Sequence, residues 1–294
     1  MRASWRGPVL LGVATSLWGA SSAGIAAVGA PGIAAAPVAA GGAVALLGFA
    51  VARGADPWRD LRAAPGLFLR LGVLEVVNLM AYIAALHIGP LPVVVALHLT
   101  SPVLLIVVRI VRGRRALTVV LVAELAAIGA AIWLVAGNRP ADTALGPALV
   151  GCALALVSAG CVARLITLVV RESAGRPSGS AAGLQLLAAA VLAAPLLGVA
   201  ILADAAPTAG QTMMLAVLGA LLLGPGFACY WVALRYLDEV TTGLIGLNEA
   251  VVATIAGAVL VGSEITVATL LAGVLVLGAV GLELGSPVRA HAPS

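Results

Sequence analysis

The stretch YIAALHIGPLPVVVALHLTSPVLLIVVRIVRGRRALTV, residues 82–119, lies over YWVALRYLDEVTTGLIGLNEAVVATIAGAVLVGSEITV, residues 230–267, without a gap. Tyr82/Tyr230, Ala85/Ala233, Leu86/Leu234, Leu99/Leu247, Val103/Val251, Val111/Val259 and Thr118/Thr266 coincide. The offset of 148 residues is close to half of the 294-residue chain. With an odd number of membrane spans in each copy, the second copy must enter the bilayer in the opposite sense to the first, which is the inverted repeat of secondary transporters.

Composition places both copies in lipid. Hydrophobic residues make up 62% of the chain and charged residues 10%, and the mean hydropathy is +1.16. That leaves too little polar surface to clothe a water-soluble globule. A helical span needs roughly 20 apolar residues. Polar or Pro/Gly punctuation divides the chain into ten such stretches: about 8–30, 33–52, 66–87, 90–110, 117–137, 145–168, 181–203, 212–234, 239–262 and 266–285. The boundary at Pro31 and Gly32 is the least marked, and Arg164 intrudes on the inner end of the sixth stretch. The expected fold is an all-α integral membrane protein of ten transmembrane helices. Residues 1–142 and 143–285 form two inverted five-helix repeats, and residues 286–294 form a cytoplasmic tail. A transmembrane β-barrel would need alternating polar and apolar residues in segments of roughly ten, and runs such as Leu121 to Leu134 do not alternate.

All sixteen basic residues are arginine. With the N-terminus inside, the expected cytoplasmic segments carry Arg2 and Arg6, then Arg53, Arg59 and Arg62, then Arg109, Arg112, Arg114 and Arg115, then Arg171 and Arg176, then Arg235, then Arg289; the outer loops hold Arg139. This asymmetry follows the positive-inside rule and predicts a multi-pass protein of the bacterial inner membrane with both termini cytoplasmic. The scatter of arginines over short loops offers no nucleic-acid groove. Arg2 and Arg6 before an apolar stretch also resemble a signal peptide, with small residues near Ala20 to Ala23 as a cleavage site; removing that segment would leave one repeat with four helices. Cys152, Cys161 and Cys229 fall within spans and lack metal-ligand spacing.

Ionisable groups in the bilayer carry the functional information, because a charge near the midplane costs roughly 2.5 to 3.5 kcal/mol even on the lenient insertion scale. On the third span Glu75, Asn78, Leu79 and Tyr82 follow the spacing i, i+3, i+4, i+7 and share one face. They form either a wall of a substrate cavity or a structural cluster in which Asn78 or a neighbouring helix satisfies the acid. His98 lies about midway along the fourth span, with Ser101 and Pro102 behind it. The proline removes one backbone hydrogen bond, and such a break is tolerated in a membrane where it is buried in protein or lines a cavity. His98 could titrate during transport or bridge two helices. The ninth span carries Asn248 and Glu249, and Gly243, Gly246, Ala250, Ala253 and Gly257 form a small-residue face that admits a close neighbour. Nothing adjacent in sequence neutralises Glu249, so it ranks first among the acids, ahead of Glu75.

Further candidates are Trp18, deep enough in the first span to face the bundle, and the repeat-related pair Tyr82 and Tyr230, which could bind substrate or simply pack. Glu124 is expected to pair with an arginine of the preceding loop, Arg164 to snorkel, and Trp5 to anchor at the interface. The substrate-binding set is therefore Glu75, Asn78, Tyr82, His98, Ser101, Trp18, Tyr230, Asn248 and Glu249. Glu249, His98 and Glu75 are its candidates for proton coupling. Catalysis finds no support, since the chain has neither a Gly-rich phosphate loop nor a nucleophile cluster in a soluble segment. Cofactors and metals are not expected, and no nucleotide-binding domain is present to couple ATP directly.

The stretch Asn78-Leu-Met-Ala-Tyr82-Ile-Ala-Ala-Leu86, followed by Ala96-Leu97-His98-Leu99-Thr100-Ser101-Pro102, resembles the third and fourth helices of EamA-type transporters in the drug/metabolite transporter (DMT) superfamily, especially the threonine/homoserine exporter branch. Tyr230-Trp-Val-Ala-Leu234-Arg235, Gly243-Leu-Ile-Gly-Leu-Asn-Glu249-Ala250-Val251 and Leu260-Val-Gly262-Ser-Glu264-Ile-Thr266 resemble the family's closing signatures, and Gly12 to Ser21, with Trp18-Gly19, its opening helix. The resemblance implies ten helices around a central cavity and export of amino acids, other metabolites or drugs, commonly by proton exchange. Two positions depart from the pattern: His98 stands where the exporter branch tends to have glutamate, and Ala250 where the ninth-helix motif has proline. Glu249 retains that motif's acid.

The expected function is secondary active export of small metabolites, with neutral amino acids such as threonine or homoserine as the implied substrates, by alternating access in a monomer or homodimer. The competing expectations are a multidrug exporter of cationic or aromatic compounds, for which 4% aromatic residues is sparse, and a membrane scaffold that transports nothing. Glu75, His98 and Glu249 have Leu223, Gly246 and Ser101 as their repeat counterparts. The scaffold repeats while the candidate chemistry does not.

Overall fold

The structure, a computed structural model, describes residues 5–30, 34–89, 91–111, 113, 118–137, 145–172, 178–237, 242, 245–262 and 266–285. The Pro31–Gly32 boundary, the arginines Arg2, Arg112, Arg114, Arg115, Arg139, Arg176 and Arg289, residues Gly243 and Glu264, and the tail 286–294 lie outside this set. Among the described residues the chain is helical and contains no strand.

In chain order the elements are α1 (Arg6–Val28), α2 (Ala35–Ala52), α3 (Pro57–Ala63), α4 (Pro65–Ile88), α5 (Leu91–His98), α6 (Ser101–Val111), α7 (Val119–Gly137), α8 (Leu145–Glu172), α9 (Ser178–Leu202), α10 (Ala209–Leu218), a π-helical turn (Gly219–Leu223), α11 (Gly224–Ala233), α12 (Asn248–Leu260) and α13 (Val267–Gly285). Six of the described helical segments are long and apolar enough to cross a membrane, and three shorter apolar helices accompany them. Helices are the expected form because a chain in hydrocarbon must satisfy its backbone groups internally. Side chains facing outward are largely apolar, among them Val44, Phe49, Val191, Leu202 and Val274. The protein is thus a helical membrane protein.

Local chemistry explains the departures from the ten apolar stretches. The loop after α2 contains the short helix α3, started by Asp56, whose side chain accepts from the Arg59 amide at 3.1 Å, and by Pro57 at its first turn. The sixth stretch runs on past Arg164 to Glu172, with Arg164 exposed. The fourth is not continuous: α5 ends at His98, Leu99 and Thr100 form a turn, and α6 begins at Ser101. Pro102 has no N–H with which to continue the ladder, and the Thr100 hydroxyl takes up the Leu97 carbonyl at 2.6 Å. The ninth stretch is also interrupted, at Leu247, the repeat counterpart of Leu99. The eighth carries the π turn, immediately before Gly224-Pro225-Gly226, where the missing proline N–H again interrupts the α-helical pattern.

Packing relies on small residues. The largest interfaces join α2 to α9, α4 to α8, α1 to α12 and α7 to α13. A side chain at Gly41 would collide with the Ala216 backbone, and one at Gly219 with the Val38 backbone, so α2 and the π-turn region cross at backbone contact. At the α1/α12 crossing, a Cβ on Gly19 would lie 2.6 Å from the Glu249 carbonyl and 2.9 Å from the Ala253 amide. Ala250, Ala253 and Gly257 are buried on α12, so the small-residue face of the ninth span is the one that receives α1.

Candidate functional site

A cavity of about 410 Å³ opens at the centre of the bundle, within the size range of small-molecule sites. Residues from α1, α4, α5, α6, α8, α9, α11 and α12 line it. Glu75, Asn78, Tyr82, His98, Ser101, Trp18, Tyr230 and Glu249 all face this one space.

Glu75 is completely buried and doubly partnered. Its Oε1 accepts from Asn78 Nδ2 at 3.1 Å and its Oε2 accepts from Gln185 Nε2 at 2.7 Å. Gln185 in turn accepts from the Trp231 indole at 3.3 Å. On the other side, the Ser158 hydroxyl donates to Asn78 Oδ1 at 2.6 Å. With that proton committed, the 2.7 Å contact between Ser158 Oγ and His98 Nδ1 is a bond donated by the imidazole. One chain of hydrogen bonds thus runs His98, Ser158, Asn78, Glu75, Gln185, Trp231 and joins α5, α8, α4, α9 and α11. Every member has at least one partner, as buried polar groups generally do.

Tyr82 stacks on His98, with ring centroids 4.4 Å apart. Ser22 donates to the Trp18 carbonyl at 2.9 Å, so the Tyr82 hydroxyl, 2.8 Å from Ser22 Oγ, is the donor in that pair. Trp18 packs against Tyr230 and Phe227, at 5.0 and 5.1 Å between centroids, and donates to the Leu223 carbonyl of the π turn at 3.4 Å. Gly226 makes this possible, because a Cβ there would lie 2.5 Å from the Trp18 nitrogen.

Glu249 is different from Glu75. It is 4% exposed, lies in the first turn of α12 just after the break at Leu247, and makes no side-chain hydrogen bond among the described residues. Tyr82 and Tyr230 line the same cavity. His98 lies on the other side of the equivalent break in the first half, as the last residue of α5. The two groups with the most chemical latitude therefore sit at two helix interruptions, where transporters commonly bind substrate.

Asn248 requires a correction. Its Nδ2 donates to Thr15 Oγ1 at 3.1 Å and to Ser16 Oγ at 3.0 Å, and it is absent from the cavity wall. One position along a helix rotates a side chain by roughly 100°, which separates the structural tie at Asn248 from the cavity acid at Glu249.

Several wall residues escape a survey of ionisable groups alone. Gln185, Ser22, Thr15, Phe227 and Trp231 line the cavity, and Ser158 supports it from behind. A buried amide such as Gln185 is also costly to desolvate, though less so than an ionised carboxyl, and is legible in the sequence on that basis. The aromatic content is concentrated rather than sparse. Of the eleven aromatic residues in the chain, Trp18, Tyr82, Phe227, Tyr230 and Trp231 meet at this one site.

No family model matches the chain, and no curated protein does either. A solved structure described only as the crystal structure of a protein superposes over 97% of this chain and 99% of its own length, with a TM-score of 0.64 and 19% identity. At that identity the likeness concerns the fold alone.

Proposed function

We propose that this protein is a secondary transporter that moves small organic solutes across the bacterial inner membrane by alternating access, in the direction of export. The observation that carries the reading is the central cavity, whose wall draws on both halves of the chain and holds the buried carboxyl of Glu249, which makes no hydrogen bond among the described residues. A scaffold has no use for such a group, which is costly to bury. The inverted five-helix repeat is supported by interface pairing. The α4/α8 interface has α1/α11 as its counterpart, α1/α12 has α5 and α6 against α8, and α2/α9 and α7/α13 are their own counterparts. The equivalent breaks at Leu99 and Leu247 point the same way. Together with the EamA-like motifs, these features favour a ten-helix exporter of the drug/metabolite type, with both termini cytoplasmic and threonine or homoserine as the substrates first tried.

The test is counterflow and efflux in proteoliposomes loaded with threonine, homoserine or a cationic dye, with and without an imposed pH gradient. Saturable movement of any of these supports the transporter. Stimulation by the gradient supports proton coupling. A well-folded, reconstituted protein that moves none of them would favour the scaffold.

A further inference from the structure

The hydrogen-bond chain that ends at His98 has a direction, and that direction is set far from the ring. The Trp231 indole can only donate, so the Gln185 carbonyl oxygen faces it and the Gln185 amide nitrogen faces Glu75. Glu75 accepts on both oxygens, on the other from Asn78 Nδ2. That turns the Asn78 carbonyl oxygen toward Ser158, whose single proton is spent on it. Ser158 Oγ has only lone pairs left for His98 Nδ1, so the ring proton sits on Nδ1.

The other ring nitrogen is thereby defined. Nε2 makes no hydrogen bond among the described residues, and His98 lines the cavity with one ring face against Tyr82. The carboxyls of the cavity wall are Glu75 and Glu249. Neither forms an ion pair with the imidazole among the described residues, and Glu75 is separated from it by Asn78 and Ser158. A second proton would therefore place an unpaired charge inside the bundle, which is costly. The ring is neutral and shows the cavity a lone pair at Nε2.

We propose that Glu75 is a positioning residue: through Asn78 and Ser158 it fixes His98 as the Nδ1–H tautomer and presents Nε2 to the cavity as a hydrogen-bond acceptor. The use of this acceptor on a transported solute rests on the transport reading above; the tautomer does not. In Glu75→Gln the new amide must still accept from Gln185, because Trp231 is unchanged, so its nitrogen faces Asn78. Asn78 then flips and donates to Ser158, Ser158 donates to Nδ1, and the ring proton moves to Nε2. An isosteric change thus reverses the tautomer three hydrogen bonds away.

The test is nitrogen magnetic resonance of purified full-length protein in detergent, isotope-labelled on the histidine rings, at a pH above the ordinary histidine range. The chain has three histidines, and the spectrum of His98→Gln identifies the two signals that belong to His98. The wild type should show a protonated Nδ1 and a bare Nε2. Glu75→Gln should show the reverse, with the tautomer ratio changed by about tenfold or more, the scale of one hydrogen bond gained or lost. A bare Nδ1 in the wild type, or protons on both nitrogens, overturns the inference; this comparison requires no variant to fold. A monodisperse Glu75→Gln protein that keeps the wild-type tautomer overturns the role of Glu75. Proteoliposome counterflow separates the two levels. The Nδ1–H tautomer without counterflow of any solute supports the positioning role and overturns transport. Counterflow with the proton on Nε2 overturns the positioning role and leaves transport standing.

Discussion

Gln185 Nε2 donates to Glu75 Oε2 at 2.7 Å, tying α9 to α4 at the centre of the bundle while the same amide accepts from Trp231. The bond makes Glu75 a finished structural element of the wall. Gln185→Leu keeps the volume roughly constant but leaves a carboxylate oxygen and an indole N–H without partners in a buried site. The expected cost is about 1–3 kcal/mol for the unsatisfied groups, read as a clear drop in thermal unfolding midpoint of the purified protein. An unchanged midpoint would mean that water or a rearranged neighbour replaces the amide.

Glu249 presents the opposite case. No hydrogen-bond partner among the described residues is lost when its carboxyl becomes an amide, so Glu249→Gln should unfold within a few degrees of wild type. Transport should nevertheless fall by about tenfold or more, equivalent to about 1.4 kcal/mol, because an amide can neither ionise nor carry a proton. Wild-type efflux rates from this variant would remove Glu249 from the mechanism. The contrast with Gln185→Leu matters, because one change strikes stability first and the other strikes function first.

The close approach of Trp18 to Gly226 yields a matched pair of glycine substitutions. Gly226→Ala places a methyl 2.5 Å from the indole nitrogen and 2.6 Å from its neighbouring carbon, so the rigid ring must move away from Leu223 and Tyr230. Overpacking of this kind costs about 1–3 kcal/mol, and substrate affinity should fall with it. Gly12→Ala, on the same helix α1, meets nothing within 4 Å and should be neutral or slightly stabilising, since alanine is the better helix former. Comparable losses in both variants would show that α1 tolerates no added methyl, independent of Trp18.

How far such a site can be read from the chain alone depends on the distance over which each partner acts. The apolar stretches announce helices because lipid leaves the backbone few alternatives. Pro102 marks the first helix interruption, whereas the break at Leu247 has no proline and is signalled only by its register with Leu99. Glu75 and Asn78 are visible as one face, but what decides the role of Glu75 is Gln185, 110 residues away. Composition fails for a related reason. An average of 4% aromatic residues is silent on whether the rings are dispersed or gathered, and here Trp18, Phe227 and Tyr230 come together only when α1 packs on α11. Asn248 and Glu249 are neighbours in sequence yet serve different surfaces, a distinction set by helix phase relative to α1.

Two buried serines test whether the central network stabilises the bundle or merely occupies it. Ser158 bridges Asn78 Oδ1 and His98 Nδ1, at 2.6 and 2.7 Å. Ser180, on α9, is equally buried and its hydroxyl has no partner among the described residues. Interhelical hydrogen bonds in membrane proteins average only about 0.6 kcal/mol and reach about 1.7, because the unfolded chain in lipid also finds partners. Ser158→Ala removes two such bonds and strands two buried groups, so its cost should lie at or above the upper end, about 1.5–3 kcal/mol. Ser180→Ala deletes an unsatisfied hydroxyl and should be neutral or stabilising. Measured side by side in one detergent, the two unfolding midpoints should move in different directions or by clearly different amounts. Equal shifts would indicate that the Ser158 bonds contribute nothing beyond the packing of a small side chain, and the His98 to Trp231 chain would then have to be justified by positioning alone.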